Sequence, residues 1–194
     1  MEKTLVWDII VTLSKKEIRE FKQFLKSPFY NQREDLVILF EFLSSQKGVI
    51  SREKVFQKIY PNENFDDQKL RLLLSYLLKL METFLTQKER AENEFQNHIY
   101  LLQAYRKRNL NRHFQKTLNR TQKHFQNQNL HHPEFYFHNF LMEGEQFHFL
   151  SDVGRTQELN LQAIENNFDY AFISMKLRQA CFSKSHESVF NTEY

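Results

Sequence analysis

The chain is poor in residues that make turns and covalent links. Three glycines and three prolines are spread over 194 residues. So few turn formers speak against sheets joined by many tight turns, and against glycine-built phosphate loops. The single cysteine, Cys181, cannot form an internal disulfide, which fits a reducing compartment. No apolar run approaches the length of a membrane span. The stretch Leu5 to Val11 is short and carries Asp8, so it does not read as a secretory signal either. There is no cysteine cluster, no His-Glu-x-x-His and no Gly-x-Ser-x-Gly elbow. These absences lead us to expect a cytoplasmic, non-enzymatic protein with no cofactor and no membrane contact.

What the chain does have is apolar bulk set at helical spacing. The hydrophobic fraction is 41% and the charged fraction 26%, the balance of a globular protein. Twenty phenylalanines stand out, and most are expected to be buried because Phe has no polar tip. "LSKKEIREF" reads as a helix start. Ser14 and Glu17 are placed as a capping box, with Leu13 and Ile18 as its hydrophobic staple. Ile18, Phe21 and Leu25 then share a face, and Pro28 follows the end. "NQREDLVILFEFL" repeats the logic, with Asn31 as cap and Glu34 at the third helical position; Lys47-Gly48 breaks it. Ser51 starts a short helix that ends before Pro61. Asp66 or Asp67 opens a long one, "QKLRLLLSYLLKLMETFL", whose narrow polar face predicts burial nearly all round at the centre of an N-terminal domain.

Beyond residue 90 the pattern predicts helices in antiparallel pairs: 90–107, a break near Asn109, 110–127, 133–150, and 155–167. The last is read as continuing to 184 after a kink near Asn167. Pro133 suits a first helical position and Gly154 a break. The fold class is therefore all-α: an N-terminal helical domain over 1–87, then antiparallel helical hairpins over 88–194 in a degenerate repeat array. Tyr105 can be aligned with the tyrosine of the tetratricopeptide signature, but Leu102 and Phe114 then fall where small residues belong. The ending "SKSHESVFNTEY" lacks the polar capping helix that an array needs, so a longer natural chain is expected.

Three stretches carry a resemblance: "LSKKEIREFKQFLKSPFYNQ" (13–32), "YPNENFDDQKLRLLLSYLLKLMETFL" (60–85) and "DYAFISMKLRQAC" (169–181). In this order they resemble a group of uncharacterised, all-helical bacterial proteins with degenerate tetratricopeptide-like hairpins. The resemblance implies an all-helical fold and a longer chain. It implies no catalytic residues.

Two features could carry chemistry. The first is "LHHPEFYFHNF" (130–140), with His131, His132, Glu134 and His138, followed by the pair Glu145 and His148. Carboxylate-bridged di-metal bundles need two Glu-x-x-His pairs plus two more glutamates, and here only one pair exists. The bland reading is an aromatic helix in which Phe135, Phe140, Phe147 and Phe149 pack, and no metal is expected.

The second feature is charge. Residues 91–130 carry a net +5 and residues 131–194 a net −5, with no acidic residue between Glu94 and Glu134. Arg108, Arg112, Lys116, Arg120 and Lys123 follow one another at spacings of four, four, four and three, a single stripe on a helix. Leu110, Phe114, Leu118 and Phe125 lie roughly opposite, and Tyr105 is the one nearby ring expected at the surface. Like charges at this spacing repel, so something is expected to answer them. The acidic C-terminal third, nucleic-acid phosphates and an acidic partner all qualify.

Two further readings are bland. Cys181 has Arg178, Lys184 and His186 within five residues, yet between Ala180 and Phe182 it reads as a packing residue. Residues 51–86 do not suit a helix-turn-helix, because the connection is long and Asp66 and Asp67 would face phosphates. The expected function is that of a helical scaffold or adaptor that binds a protein or peptide. The alternative is nucleic-acid binding through the basic stripe at 106–123.

Overall fold

The computed structural model describes residues 4–46, 48, 50–126, 132–153 and 158–190. Among these there are nine α-helices and no strands. They are α1 (Leu5–Thr12), α2 (Lys15–Lys26), α3 (Glu34–Ser45), α4 (Arg52–Ile59), α5 (Asp67–Glu92), α6 (Glu94–Arg106), α7 (Asn111–Gln126), α8 (Pro133–Val153) and α9 (Leu161–Phe190). The chain divides into two units, Met1–Glu92 and Asn93–Tyr194. Lys47 and Gly154, expected as breaks, and His131 lie outside the described residues. No described helix is long and apolar enough to cross a membrane.

The first unit is built around α5, which packs against α1, α2, α3 and α4. Local signals set the helix starts. Ser14 Oγ accepts the Glu17 N–H at 3.2 Å, while Glu17 Oε2 accepts the Ser14 N–H at 2.9 Å, a complete capping box. Ser51 accepts from the Lys54 N–H, and Asp66 Oδ1 from the Lys69 N–H at 3.0 Å. Asn31 does not cap α3 as its position suggested. The helix begins at Glu34 behind an uncapped Arg33, and Asn31 donates to the carbonyls of Leu25 and Arg33. Its amide ties the α2–α3 corner together instead.

The α5 helix is also less enclosed than its composition predicts. Leu70, Leu73, Leu74, Leu77, Met81 and Phe84 form one buried stripe, but Leu72 is 53% exposed and Tyr76 is partly open. Four short helices cover one side of a long one, and the other side meets water. The Arg33 guanidinium lies 4.9 Å above the Tyr76 ring and shields part of it. Arg33 also grips Asp35, which accepts the Tyr60 hydroxyl at 2.6 Å. Arg33 holds the Asp35 carboxyl below its usual range, and burial, then Asp35, push the Tyr60 phenol up to about 12.

In the second unit the helices pair as α6 with α7 and α8 with α9, and α8 also packs on α6 and α7. The expected break near Asn109 is a tight turn in which Asn109 takes a φ of 55°. Asparagine tolerates this left-handed conformation better than most residues. Phe95, Ile99 and Leu102 of α6, Phe114 and Leu118 of α7, and Phe135 and Met142 of α8 form the core. Phe149 stacks on Phe114 with centroids 4.2 Å apart. Pro133 opens α8, as expected.

The α9 helix runs without interruption from Leu161 to Phe190, so the kink expected near Asn167 is not there. Asn167 donates to the Ala163 carbonyl at 2.8 Å, one turn back within the helix. Tyr170 meets Tyr136, Phe168 meets Phe140, and Arg178 is paired with Glu134. Past this last contact, residues 179–190 are exposed at every position except the half-buried Ser183 and Glu187.

Candidate functional site

The structure gathers part of the basic stripe into an open groove. The open groove along α6 and α7 has a volume of about 650 Å³ and is lined by Leu101, Tyr105, His113, Lys116, Thr117, Asn119, Arg120 and Lys123. Three of the five stripe cations, Lys116, Arg120 and Lys123, line it. Arg112 is exposed on the same helix one turn earlier. Arg108 falls in the α6–α7 turn, where Nη1 donates to the Ala104 carbonyl at 3.0 Å. The helical spacing that predicted a stripe also predicted its opposite face. Phe114 and Leu118 are fully buried there, whereas Leu110 is 38% exposed at the corner. The Phe125 side chain lies outside what the structure describes.

The charge pairing inside this unit is selective. Glu145 is buried and accepts from Arg106 Nε at 3.2 Å and from Gln103 Nε2 at 3.0 Å, tying α6 to α8. Asp152 adds a longer ion pair to Arg106 at 3.7 Å. Glu134 takes Arg178 and His132, and Glu187 takes Lys184. Among the described residues no acidic side chain pairs with Arg112, Lys116, Arg120 or Lys123. The acidic third of the chain answers Arg106, one turn before the stripe, and leaves the stripe to solvent.

Two histidines that charge counting overlooked belong to this surface. His98 on α6 lies against α7, with Nε2 at 3.4 Å from Arg120 Nη2. Arginine can only donate, so Nε2 accepts and the proton sits on Nδ1. That Nδ1 is buried and makes no hydrogen bond. Burial first, and then the Arg120 charge, hold the His98 pKa below the usual imidazole range. His113 packs at a tilt against Tyr105, with centroids 5.4 Å apart. Neither histidine adds formal charge at neutral pH, so a count of lysines and arginines does not find them. His113 stands three residues before Lys116, whereas the relation of His98 to Arg120 becomes visible only once α6 and α7 are paired.

At the histidine-rich start of α8 the structure brings His132 against Glu134 at 3.2 Å, and the remaining candidates have other partners. His138 stacks on Phe95 with centroids 3.9 Å apart, and its burial lowers its pKa. Glu134 and Glu145 are spent on separate arginines, and His148 sits beside Phe147. No group of three or more His, Cys, Asp or Glu side chains that could hold a metal forms among the described residues. Cys181 is exposed on α9, against the expectation that it packs, because α8 ends its cover three residues earlier. No family model matches the chain, and neither a curated protein nor a solved structure matches it.

Proposed function

We propose that residues 93–194 form a non-enzymatic interaction module that presents the α6–α7 groove to an acidic segment of a partner protein. The observation that carries this reading is the unanswered stripe. Acidic residues are present in the same unit, yet Arg112, Lys116 and Lys123 have no ion pair among the described residues. Like charges at this spacing cost each helix pair a few tenths of a kcal/mol, roughly, a cost that an anionic ligand repays. Leu101, Tyr105 and Thr117 add an apolar and hydroxyl-bearing wall. Such a mixture suits a peptide with both carboxylates and an apolar side chain. The successive hairpins α6–α7 and α8–α9 support reading this region as a degenerate repeat array, a class of fold that offers extended binding surfaces.

Nucleic acid is the second reading, since phosphates would answer the same cations. The groove favours it less. Single-stranded platforms stack successive bases on several rings, and this groove offers Tyr105 alone, already against His113. A capture experiment from native lysate separates the two. The wild-type chain and the variant Arg112→Glu/Lys116→Glu/Arg120→Glu are compared, each with and without nuclease. Proteins that are retained after nuclease and lost from the variant support the acidic-partner reading. A bound set that disappears with nuclease transfers the stripe to nucleic acid. A set unchanged in the variant removes the groove from both readings.

A further inference from the structure

The largest apolar surface in the second unit lies on α9, away from the basic groove. Leu161, Phe168, Met175, Phe182 and Val189 recur at intervals of seven residues along this one helix. Leu161, Phe168, Phe182 and Val189 are 51–70% exposed, and Met175 is half-buried. Phe172 flanks the row at 60% exposure, and Phe140 of α8 continues it beside Phe168, with centroids 5.3 Å apart. A seven-residue repeat keeps one strip of the helix apolar along its length, one of the two positions of a helix–helix seam, and Phe172 broadens that strip at its middle. The α8 helix packs on the neighbouring side of α9, through Ala171, and touches the edge of the row where Phe140 meets Phe168.

Charge along α9 says what that other helix is. The half from Leu161 to Met175 contains two acidic residues, Glu165 and Asp169, and no basic one. The half from Lys176 to Phe190 contains Lys176, Arg178 and Lys184 against Glu187 alone. A helix with an acidic first half and a basic second half complements itself only when the second copy runs in the opposite direction. The apolar row agrees, because it is symmetric about Met175. Reversal sets Leu161 toward the partner's Val189 and Phe168 toward the partner's Phe182. It also brings Glu165 and Asp169 alongside the partner's basic half, where Arg178 and Lys184, each already on a carboxylate of its own chain, would be shared with a second one. A parallel pairing would set acidic half on acidic half and basic half on basic half.

We infer that α9 is a homodimerisation helix, and that two copies of the chain pair antiparallel through it across a two-fold axis near Met175. Six phenylalanine rings, each about half available, together with the leucines, methionines and valines, cover on the order of 1,000 Å² in total. That reaches the lower size of a specific interface. Residues 179–190, which α8 leaves bare, would then lie against the first half of the partner's α9. The two-fold arrangement is isologous, so it closes at two copies.

The test is the mass of the 194-residue chain by light scattering across the micromolar range, and that of Phe168→Glu/Phe182→Glu. The wild type is expected to be a dimer. The variant is expected to be monomeric, with an apparent dissociation constant raised on the order of 100-fold and with unchanged helicity, because both side chains are at the surface. A monomeric wild type overturns the inference, whatever else binds the face, and so does a variant that stays dimeric. Direction is read by mixing Phe168→Cys and Phe182→Cys chains, each in a Cys181→Ser background, under mild oxidation. Cross-links between the two different chains support antiparallel pairing. Cross-links only between identical chains overturn it.

Discussion

Residues 1–92 and 93–194 are of similar length, and the second stretch is richer in phenylalanine, with twelve of the twenty. The first nevertheless buries far more. Its core cluster holds twenty buried apolar residues, from five helices and, at Ile50, the α3–α4 connection, against seven in the core cluster of the second unit among the described residues. The difference comes from topology. In the first unit four short helices share one long partner, so each apolar stripe meets another. In the second, the helices pair as α6 with α7 and α8 with α9, and the long α9 has α8 as its main cover. Phenylalanine buried at Phe21, Phe40 and Phe56 holds the fold together, whereas Phe168, Phe172 and Phe182 remain at the surface.

The largest effect that sharpens this contrast is a pair of equal truncations. Phe40 is fully buried and meets Phe21 edge-on at 4.7 Å. Phe40→Ala should cost about 3–5 kcal/mol in urea unfolding. The same change at Phe172, measured on the charge-blocked monomer Phe168→Glu/Phe182→Glu, should stay within about 0.5 kcal/mol. Comparable losses at both positions would show that the second unit has a core that the exposure of α9 conceals.

Next in size is Glu145→Ala, which leaves the Arg106 guanidinium in a half-buried site without its main acceptor. The expected loss is about 2–3 kcal/mol, less than for a fully buried pair because water still reaches Arg106. Hydrogen exchange should show that loss confined to α6, α7 and α8, with residues 4–92 unchanged. Protection falling equally in both units would mean that they unfold as one, and the comparison would lose its basis.

Much of this was legible in the sequence, and the misses share a cause. Caps and breaks were readable where the deciding partner is close along the chain, as with Ser14 and Glu17, Ser51, Asn109 and Pro133. The stripe over 112–123 was readable because helical spacing alone places cations on one face, whereas Arg108 falls in the turn before α7. Errors arose wherever the answer depended on a helix distant in sequence. The open side of α5, the exposure of Cys181 and the pairing of Arg106 with Glu145 are all set by which helix happens to lie alongside. His98 was missed for the same reason, since nothing near it in sequence points to Arg120. Asn31 is the exception: its partners are local, but two carbonyls outcompeted the cap position.

A smaller effect tests the first unit through pH. The folded chain holds the Tyr60 proton up to about 12 through burial and the Asp35 hydrogen bond, whereas an unfolded tyrosine releases it near 10, roughly. The folded state therefore binds more protons between these values, and stability that is complete below pH 10 falls as pH rises toward 12. Tyr60→Phe should cost about 1 kcal/mol at neutral pH by leaving Asp35 one donor short. It should also flatten that alkaline decline, measured by urea midpoints at several pH values. An unchanged slope would assign the decline to other groups.

The smallest effect has the opposite sign and bears most directly on function. Lys116 sits one turn from both Arg112 and Arg120, and no acidic residue pairs with it among the described residues. Lys116→Glu turns two repulsive i,i+4 relations into attractive ones, so the chain should gain about 0.5 kcal/mol at low salt. The gain should shrink as ionic strength rises, because exposed charges are screened. An ordinary surface site would show no consistent sign, and a cation paired inside the fold would show a loss. A stripe held apart for an external anion becomes more stable when its central charge is reversed, while the triple charge reversal weakens binding in the capture experiment. A loss of stability would mean that the stripe is already answered within the chain, and the groove would no longer need a partner to explain it.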